Sequence, residues 1–247
     1  MSAQSAFAEV AREDGRAALV TVVSGPNPGA RLLVRADGST EGSLGDEALE
    51  AEAVSAADEL MWEERSEVRG DLFIDVTAPA PRVLIFGAVE YANHLSHFAR
   101  ATGWRPYVID PRAQFATKER FPDAVEVVVS WPGEAFEHLG GIDKATYLAV
   151  LTHDPKIDDE VLTLALAAEP AYIGAMGAKR TQADRRERLL AAGVEEEDLA
   201  RISAPIGVDL GGSEAEEVAL AIMAELVAVR YGREAGRLSQ RAAGKIH

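Results

Sequence analysis

Apolar and polar residues alternate differently in the two parts of the chain. Residues 17–23 and 30–35 are short apolar runs separated by a proline- and glycine-rich segment, so they predict a β-hairpin. From Asp46 the apolar residues recur at helical spacing without a breaker, which predicts a helix. Residues 71–76 follow as a further strand pattern. Together these elements predict a small α+β domain.

A proline-rich segment at residues 77–82 marks a change of pattern and is typical of a link between modules. We therefore expect an N-terminal domain at residues 1–78 and a second domain at residues 79–247. The predicted strands of the second domain are 83–86, 108–111, 125–129, 147–151 and 171–174, and its predicted helices are 89–102, 157–168, 178–192 and 213–230. Unbroken apolar strands that alternate with helices indicate an α/β fold, a Rossmann-type doubly wound parallel sheet.

The last helix and the end of the chain carry two further signals. Ser213 and Glu216 have the spacing of a capping box, and Val218, Ile222, Leu226 and Val229 form an apolar stripe after them. Residues 233–247 are basic and rich in small residues, so we expect them to be loosely attached.

The first strand of the second domain runs into Gly87-Ala88-Val89-Glu90-Tyr91-Ala92. This is the frame of a dinucleotide-binding turn, with Val89 in place of its second glycine, where a side chain blocks a dinucleotide or shifts it outward. Asp110 stands where the fingerprint has the acidic residue that accepts ribose hydroxyls. The alternative is structural: Gly87 and Ala92 only close a βαβ unit, and Asp110 caps a turn.

Ligands of doubly wound sheets bind beyond the carboxyl ends of the strands, beside the point where the strand order reverses. Backbone amides at Gly87, Ala88 and Gly174, with a charge from Lys179 or Arg180, would suit an anionic ligand there. The candidate binding residues are Gly87, Ala88, Val89, Asp110, Thr152, His153, Asp154, Gly174, Met176, Lys179 and Arg180.

Two other groups of polar residues have a structural explanation as well as a functional one. His153 could act as a general base oriented by Asp154, but Asp followed by proline is also a common helix cap, and we predict no catalytic residue. Glu90, His94 and His97 recur on one helix at a spacing that could hold a metal, but exposed histidines explain it, and we predict no metal site.

The amino-acid composition of the chain limits the kinds of partner and site that it can have. The chain has 25 Lys and Arg against 41 Asp and Glu, a formal net charge of -16, which disfavours a nucleic-acid partner. It has no cysteine, so it carries no disulfide, thiolate metal site or persulfide. We find no signal peptide and no apolar run approaching the roughly 18 residues of a membrane span, and expect a cytoplasmic protein.

Several blocks of sequence, in order, carry a family resemblance. They are PRVLIFGAVEYA, VIDPRAQFATKERFPDAVEVVVSWP, AVLTHDPKIDDEVL, AYIGAMGAKRT and SAPIGVDLGGSEAEEVALAIMAELVA, with a weaker match at GARLLVRADGSTEGSLG. In these blocks the chain resembles the XdhC/CoxI family, accessory factors for molybdenum hydroxylases such as xanthine dehydrogenase and carbon monoxide dehydrogenase. The resemblance implies a maturation factor that transiently binds the molybdenum cofactor and passes it to a molybdenum hydroxylase apoenzyme. It also implies a cysteine desulfurase as a partner, and a homodimer.

The chain departs from the family pattern at two places. Where the family often has G-S-x-G-G-G-C-x-E, residues 42–50 read GSLGDEALE, with Ala48 at the cysteine position. Val89 replaces a glycine that many relatives have, which puts conventional NAD binding in doubt. Two alternatives therefore stand beside cofactor delivery: an NAD-dependent oxidoreductase, and an interaction scaffold whose pocket no longer binds a ligand.

Overall fold

The computed structural model describes residues 2–240, and the chain divides into two compact units, Met1–Ala80 and Pro81–His247. The elements of the first unit are α1 (Ala3–Arg12), β1 (Ala17–Val22), β2 (Arg31–Arg35), β3 (Thr40–Ser43), α2 (Glu47–Trp62), β4 (Glu67–Arg69) and β5 (Leu72–Thr77). Its strands form an antiparallel sheet in the order β3-β2-β1-β5-β4. The predicted hairpin is confirmed as the pair β1 and β2.

Both faces of this first sheet are covered, because β1 sends alternate side chains to opposite sides. Leu19 packs in a cluster with Ala3 and Ala6 of α1, whereas Val20 packs in a cluster with Leu60 of α2. The predicted helix from Asp46 is confirmed: the Asp46 carboxylate accepts a hydrogen bond from the Leu49 amide at 2.8 Å and caps α2.

The second unit is a parallel sheet with helices on both faces. Its elements are β6 (Arg82–Phe86), α3 (Glu90–Ala101), β7 (Arg105–Ile109), β8 (Glu126–Val128), α4 (Pro132–His138), β9 (Thr146–Val150), α5 (Pro155–Ala167), β10 (Tyr172–Ala175), α6 (Lys179–Ala191), α7 (Glu196–Leu199), β11 (Ile202–Ser203), α8 (Ala215–Arg230) and a 3-10 helix at Leu238–Gln240. The strand order is β11-β10-β9-β6-β7-β8, all parallel. This is the Rossmann order, and it reverses between β6 and β9.

The core of the second unit lies on the two faces of β6. Ile85 belongs to a buried cluster with Leu95 of α3 and Ile222 of α8, whereas Phe86 belongs to a cluster with Phe136 of α4 and Leu162 of α5. Because β6 is buried on both faces, its sequence is an unbroken apolar run.

The start of α8 differs from its prediction by one residue. Glu214 and Glu217 form the capping box, and the Ser213 amide donates to the Glu217 carboxylate at 3.1 Å instead. The helix begins one residue later than predicted, so Glu214 is its N-cap residue in place of Ser213. The buried residues of α8 are Ala219, Ile222, Met223 and Leu226, whereas the predicted stripe residue Val229 is exposed. Of the tail expected to be loosely attached, residues 241–247 lie outside the described residues.

Candidate functional site

The turns that follow β6 and β9 meet where the strand order reverses. The Leu151 amide donates to the Phe86 carbonyl at 2.8 Å. Gly87 has a φ of +111°, and a Cβ added to it would lie 2.9 Å from the Thr152 nitrogen. Only glycine fits this position, because both the backbone conformation and the neighbouring backbone exclude a side chain.

Asp110 lies buried at the end of β7 and is fully hydrogen-bonded within the protein. Its carboxylate accepts from the Ala88 amide at 2.8 Å, from the Arg112 amide at 2.9 Å, and from Arg112 Nε and Nη2 at 2.8 and 2.7 Å. Burial favours the neutral acid, but these hydrogen bonds outweigh it and hold the pKa of Asp110 below its ordinary value. The acceptor expected to serve a ligand therefore serves Ala88 and Arg112.

The backbone amides expected to hold an anion also have other roles. The Gly87 amide donates to the Ile109 carbonyl at 2.9 Å, and the Ala88 amide to Asp110. Gly174 lies within β10, and an added Cβ would lie 2.5 Å from Ile206 Cδ1. Gly174 is a packing glycine, because the side chain of Ile206 occupies the space beside it.

The turn after β9 is held by its own side chains. Thr152 is buried, and its Oγ1 accepts from the Asp154 amide at 2.9 Å. Asp154 caps α5 by accepting from the Lys156 amide at 3.0 Å, which is the capping alternative that the sequence offered. His153 between them is exposed. Thr152 and Asp154 thus shape the turn.

The turn after β10 leads to a helix start with positive character. The Met176 amide donates to the Val150 carbonyl at 2.8 Å, which joins this turn to β9. No side chain caps α6 at its N-cap residue Ala178, and its first turn contains no acidic residue. Lys179 and Arg180 are exposed there. Free amides, the helix dipole and two cationic side chains together favour an anion.

A buried ion pair lies beneath this turn. Arg185 Nη2 contacts Asp158 Oδ2 at 2.8 Å and donates to the Met176 carbonyl at 3.0 Å, while its Nη1 donates to Gln182 at 2.7 Å. Burial raises the pKa of Asp158, and the hydrogen bond from Arg185 offsets this only in part. The pair connects α5, α6 and the turn after β10. Sequence reasoning missed this pair, because a charged residue inside a helical pattern carries no signal of burial.

Arg112 is a second residue that sequence reasoning missed, although it follows Asp110 by two positions. Its guanidinium lies 5.0 Å from the centroid of the Phe115 ring, and its side chain is 39% exposed. The hydrogen bonds to Asp110 raise the pKa of Arg112, and the charge of Asp154 adds to this. Because Arg112 follows the carboxyl end of β7, it lies at the same edge of the parallel sheet as the turn after β9.

The histidines of α3 pair with separate carboxylates. His97 Nδ1 lies 2.9 Å from Asp123, and His94 Nε2 lies 3.6 Å from Glu216. Within residues 2–240 no group of three or more potential ligands could hold a metal ion.

A cavity of about 880 Å³ lies away from the strand tips. It is lined by residues of α8 from Leu220 onward, by Thr102 and by residues 231–238 and 240. None of the candidate binding residues contributes to it.

The fold and the ends of its strands define a Rossmann-type protein with a cationic helix start one strand from its switch point. The chain belongs to the XdhC family: residues 83–226 match the XdhC Rossmann domain, and residues 10–70 match the XdhC and CoxI family. The resemblance read from the sequence is thereby confirmed.

Three curated proteins are similar to the chain. Uncharacterized protein YqeB of Escherichia coli K12 is 25% identical over 233 residues, 86% of this chain and 42% of that protein. A probable xanthine dehydrogenase subunit from Bacillus subtilis 168 is 26% identical over 160 residues, 65% of this chain and 46% of that protein. Molybdenum cofactor insertion chaperone PaoD of Escherichia coli K12 is 29% identical over 156 residues, 63% of this chain and 42% of that protein. The chain thus spans less than half the length of these relatives.

A crystal structure described as a xanthine dehydrogenase from Bacillus halodurans has the same fold. It superposes with a TM-score of 0.64 at 23% identity, covering 93% of this chain and 66% of the other. Among residues 2–240, no helix has the length and apolar character needed to cross a membrane.

Proposed function

We propose that this chain is a maturation factor that binds the molybdenum cofactor at the carboxyl edge of its parallel sheet and passes it to a molybdenum hydroxylase apoenzyme. The observation that carries the proposal is the uncapped start of α6, with Lys179 and Arg180, one strand from the switch point. The similarity to a protein named as a molybdenum cofactor insertion chaperone supports it.

The phosphate of the cofactor is assigned to α6 by comparing the starts of α3, α5 and α6 along this edge. The amino end of α5 already holds the Asp154 carboxylate. The first turn of α3 carries Glu90, which repels an anion. Only α6 of these three combines free first-turn amides with positive side chains and no acid.

The other candidate residues form the walls and supports of the site in this proposal. Gly87 and Thr152 shape the turns at the switch point, and Met176 begins the turn that leads to α6. His153 is exposed in the turn after β9. Val89 is half-buried and packs against the apolar cluster of α3 and α8.

The arrangement suits a ligand that is held rather than transformed. The carboxylates of Asp110, Asp154 and Asp158 all accept hydrogen bonds from the protein itself. We include a cysteine desulfurase as a further partner. Because the chain has no cysteine, it cannot itself carry the sulfur as a persulfide.

An anaerobic equilibrium titration with the molybdenum cofactor tests binding. The double variant Lys179→Ala/Arg180→Ala should weaken binding by roughly ten-fold or more, since a hydrogen bond to a charged group contributes about 1.5–3 kcal/mol. The matched control is Arg100→Ala/Lys144→Ala, which removes the same charges from exposed positions at the end of α3 and before β9, at the other edge of the sheet. The control should bind like the unaltered chain.

Delivery is measured by adding the loaded chain to an apo-hydroxylase and following its activity. Absence of cofactor binding at micromolar concentration, or equal binding by both double variants, contradicts the proposal. A parallel titration with NAD examines the oxidoreductase alternative, for which Asp110 offers no free oxygen in this structure. Saturable NAD binding in place of cofactor binding would favour that alternative.

A further inference from the structure

We propose that Arg112 and Phe115 form a stacking platform for the planar heteroaromatic ring of the ligand, beyond the carboxyl end of β7. This inference rests on the proposed function, because it assigns the ring of a molecule whose phosphate has been assigned to α6. The ligand class is a phosphate-bearing pterin or purine.

Phe115 is an exposed aromatic ring on a well-fixed turn. It is 37% exposed, whereas Phe86 and Phe121 of the same unit are fully buried. Its amide donates to the Arg112 carbonyl at 2.9 Å, and its carbonyl accepts from Arg120 Nη1 at 2.6 Å. These two bonds fix the backbone that carries the ring, so little backbone freedom is lost when a ligand stacks on it.

Arg112 adds a second flat surface whose orientation is fixed. Nε and Nη2 are bound to the buried Asp110 carboxylate, and the guanidinium lies 5.0 Å from the Phe115 ring centroid. Guanidinium planes and aromatic rings are the surfaces on which unstacked bases are usually held. Asp110 also accepts from the Ala88 amide, so the platform is connected to the switch-point turn.

An arginine beside an aromatic ring is common at protein surfaces, and this chain contains a comparable pair. Arg230 lies 5.4 Å from the ring centroid of Tyr231, which is 62% exposed. Arg230 also lies over Trp104, the residue that precedes β7, so this pair is at the amino edge of the sheet. The Arg112 pair differs because it lies at the ligand-binding edge and is fixed by a buried carboxylate.

The distance between platform and helix start fits an elongated ligand. Phe115 follows β7 and Lys179 follows β10, three positions apart in the sheet order β10-β9-β6-β7. At about 4.8 Å between neighbouring strands, the ends of β7 and β10 are about 14 Å apart. A ring at one end and a phosphate at the other can therefore be held together.

The test compares Phe115→Leu with Phe115→Trp, and uses Tyr231→Leu as the matched control. Four probes are titrated: the molybdenum cofactor, a fluorescent pterin monophosphate, AMP and inorganic phosphate. Phe115→Leu should weaken binding of each ring-bearing probe that the unaltered chain binds, by roughly five- to one-hundred-fold. Inorganic phosphate should bind unchanged, and Phe115→Trp and Tyr231→Leu should behave like the unaltered chain.

The outcomes separate this inference from the proposed function. If Phe115→Leu binds the cofactor and the pterin as tightly as the unaltered chain, the platform is refuted and cofactor binding stands. If the unaltered chain binds AMP through Phe115 but does not bind the cofactor, the proposed function is refuted and the platform stands for a nucleobase. If no ring-bearing probe binds the unaltered chain, both are refuted.

Discussion

Replacing Gly87 by alanine perturbs the turn on which the candidate site is built. The added Cβ would lie 2.9 Å from the nitrogen and 3.2 Å from the Cα of Thr152, at a φ of +111°. Both contacts are to backbone, and the bond from the Leu151 amide to the Phe86 carbonyl holds the two turns together. The clash therefore cannot be relieved by a side-chain rotation.

The expected cost has two parts. A side chain at a sparsely populated backbone conformation costs on the order of 1–3 kcal/mol, and overpacking adds about 1–3 kcal/mol. For a domain of roughly 150–250 residues, each kcal/mol lowers Tm by about 2–4 °C. Gly87→Ala should therefore lower the Tm of the parallel-sheet unit by at least about 4 °C.

Gly103→Ala is the matched control for scanning calorimetry. Gly103 also has a positive φ, +80°, but an added Cβ there would meet no atom within 4 Å. It therefore reports the backbone cost alone, about 1–2 kcal/mol. Equal Tm values for the two variants would refute the reasoning, because the contact with Thr152 would then contribute nothing.

Three further changes test other parts of the structure. Arg185→Met leaves the buried Asp158 carboxylate unpaired and should lower the free energy of unfolding in urea by about 3–5 kcal/mol. The double variant Asp158→Leu/Arg185→Met should regain most of this stability, and the exposed Arg186→Met should lose little. A double variant as unstable as Arg185→Met would contradict the pairing. Because the pKa of Asp110 is lowered in the folded state, its ionised form stabilises the fold above the unfolded pKa, and this contribution is lost as the pH falls through the folded pKa. The difference in Tm between the unaltered chain and Asp110→Asn should therefore narrow between about pH 6 and pH 3. A constant difference in Tm would contradict this prediction. Ala48 is exposed on the first turn of α2, so the thiol of Ala48→Cys should react readily with a thiol reagent and the Tm should not change. A thiol that does not react with the reagent would contradict that exposure.

The hydrophobic pattern predicted most of the architecture, because long elements leave periodic signals. Unbroken runs such as residues 147–151 indicated strands buried on both faces, and β9 lies at the centre of the sheet. Short elements were missed: β4 is three residues, Glu67–Arg69, with two charges, and β11 has two residues. Helix α1 was missed because its buried residues, Ala3 and Ala6, are small.

Reasoning from the sequence placed most of the candidate residues at the carboxyl edge of the sheet, where the structure has them, but did not predict their hydrogen bonds. The order of elements was sufficient to bring Gly87 and Thr152 together at the switch point. That Asp110 would be bound by Arg112 and the Ala88 amide depends on side-chain geometry, which periodicity does not encode. The binding roles, the homodimer and the cytoplasmic location stay predictions.

The bond between Asp110 and Arg112 has a consequence for how this family can vary. A carboxylate enclosed by protein is tolerated only while its counter-charge is present. A descendant that loses the arginine at position 112 is expected to replace the aspartate at position 110 by a neutral residue, and the reverse order of change should be equally constrained. The two positions should therefore be inherited as a unit.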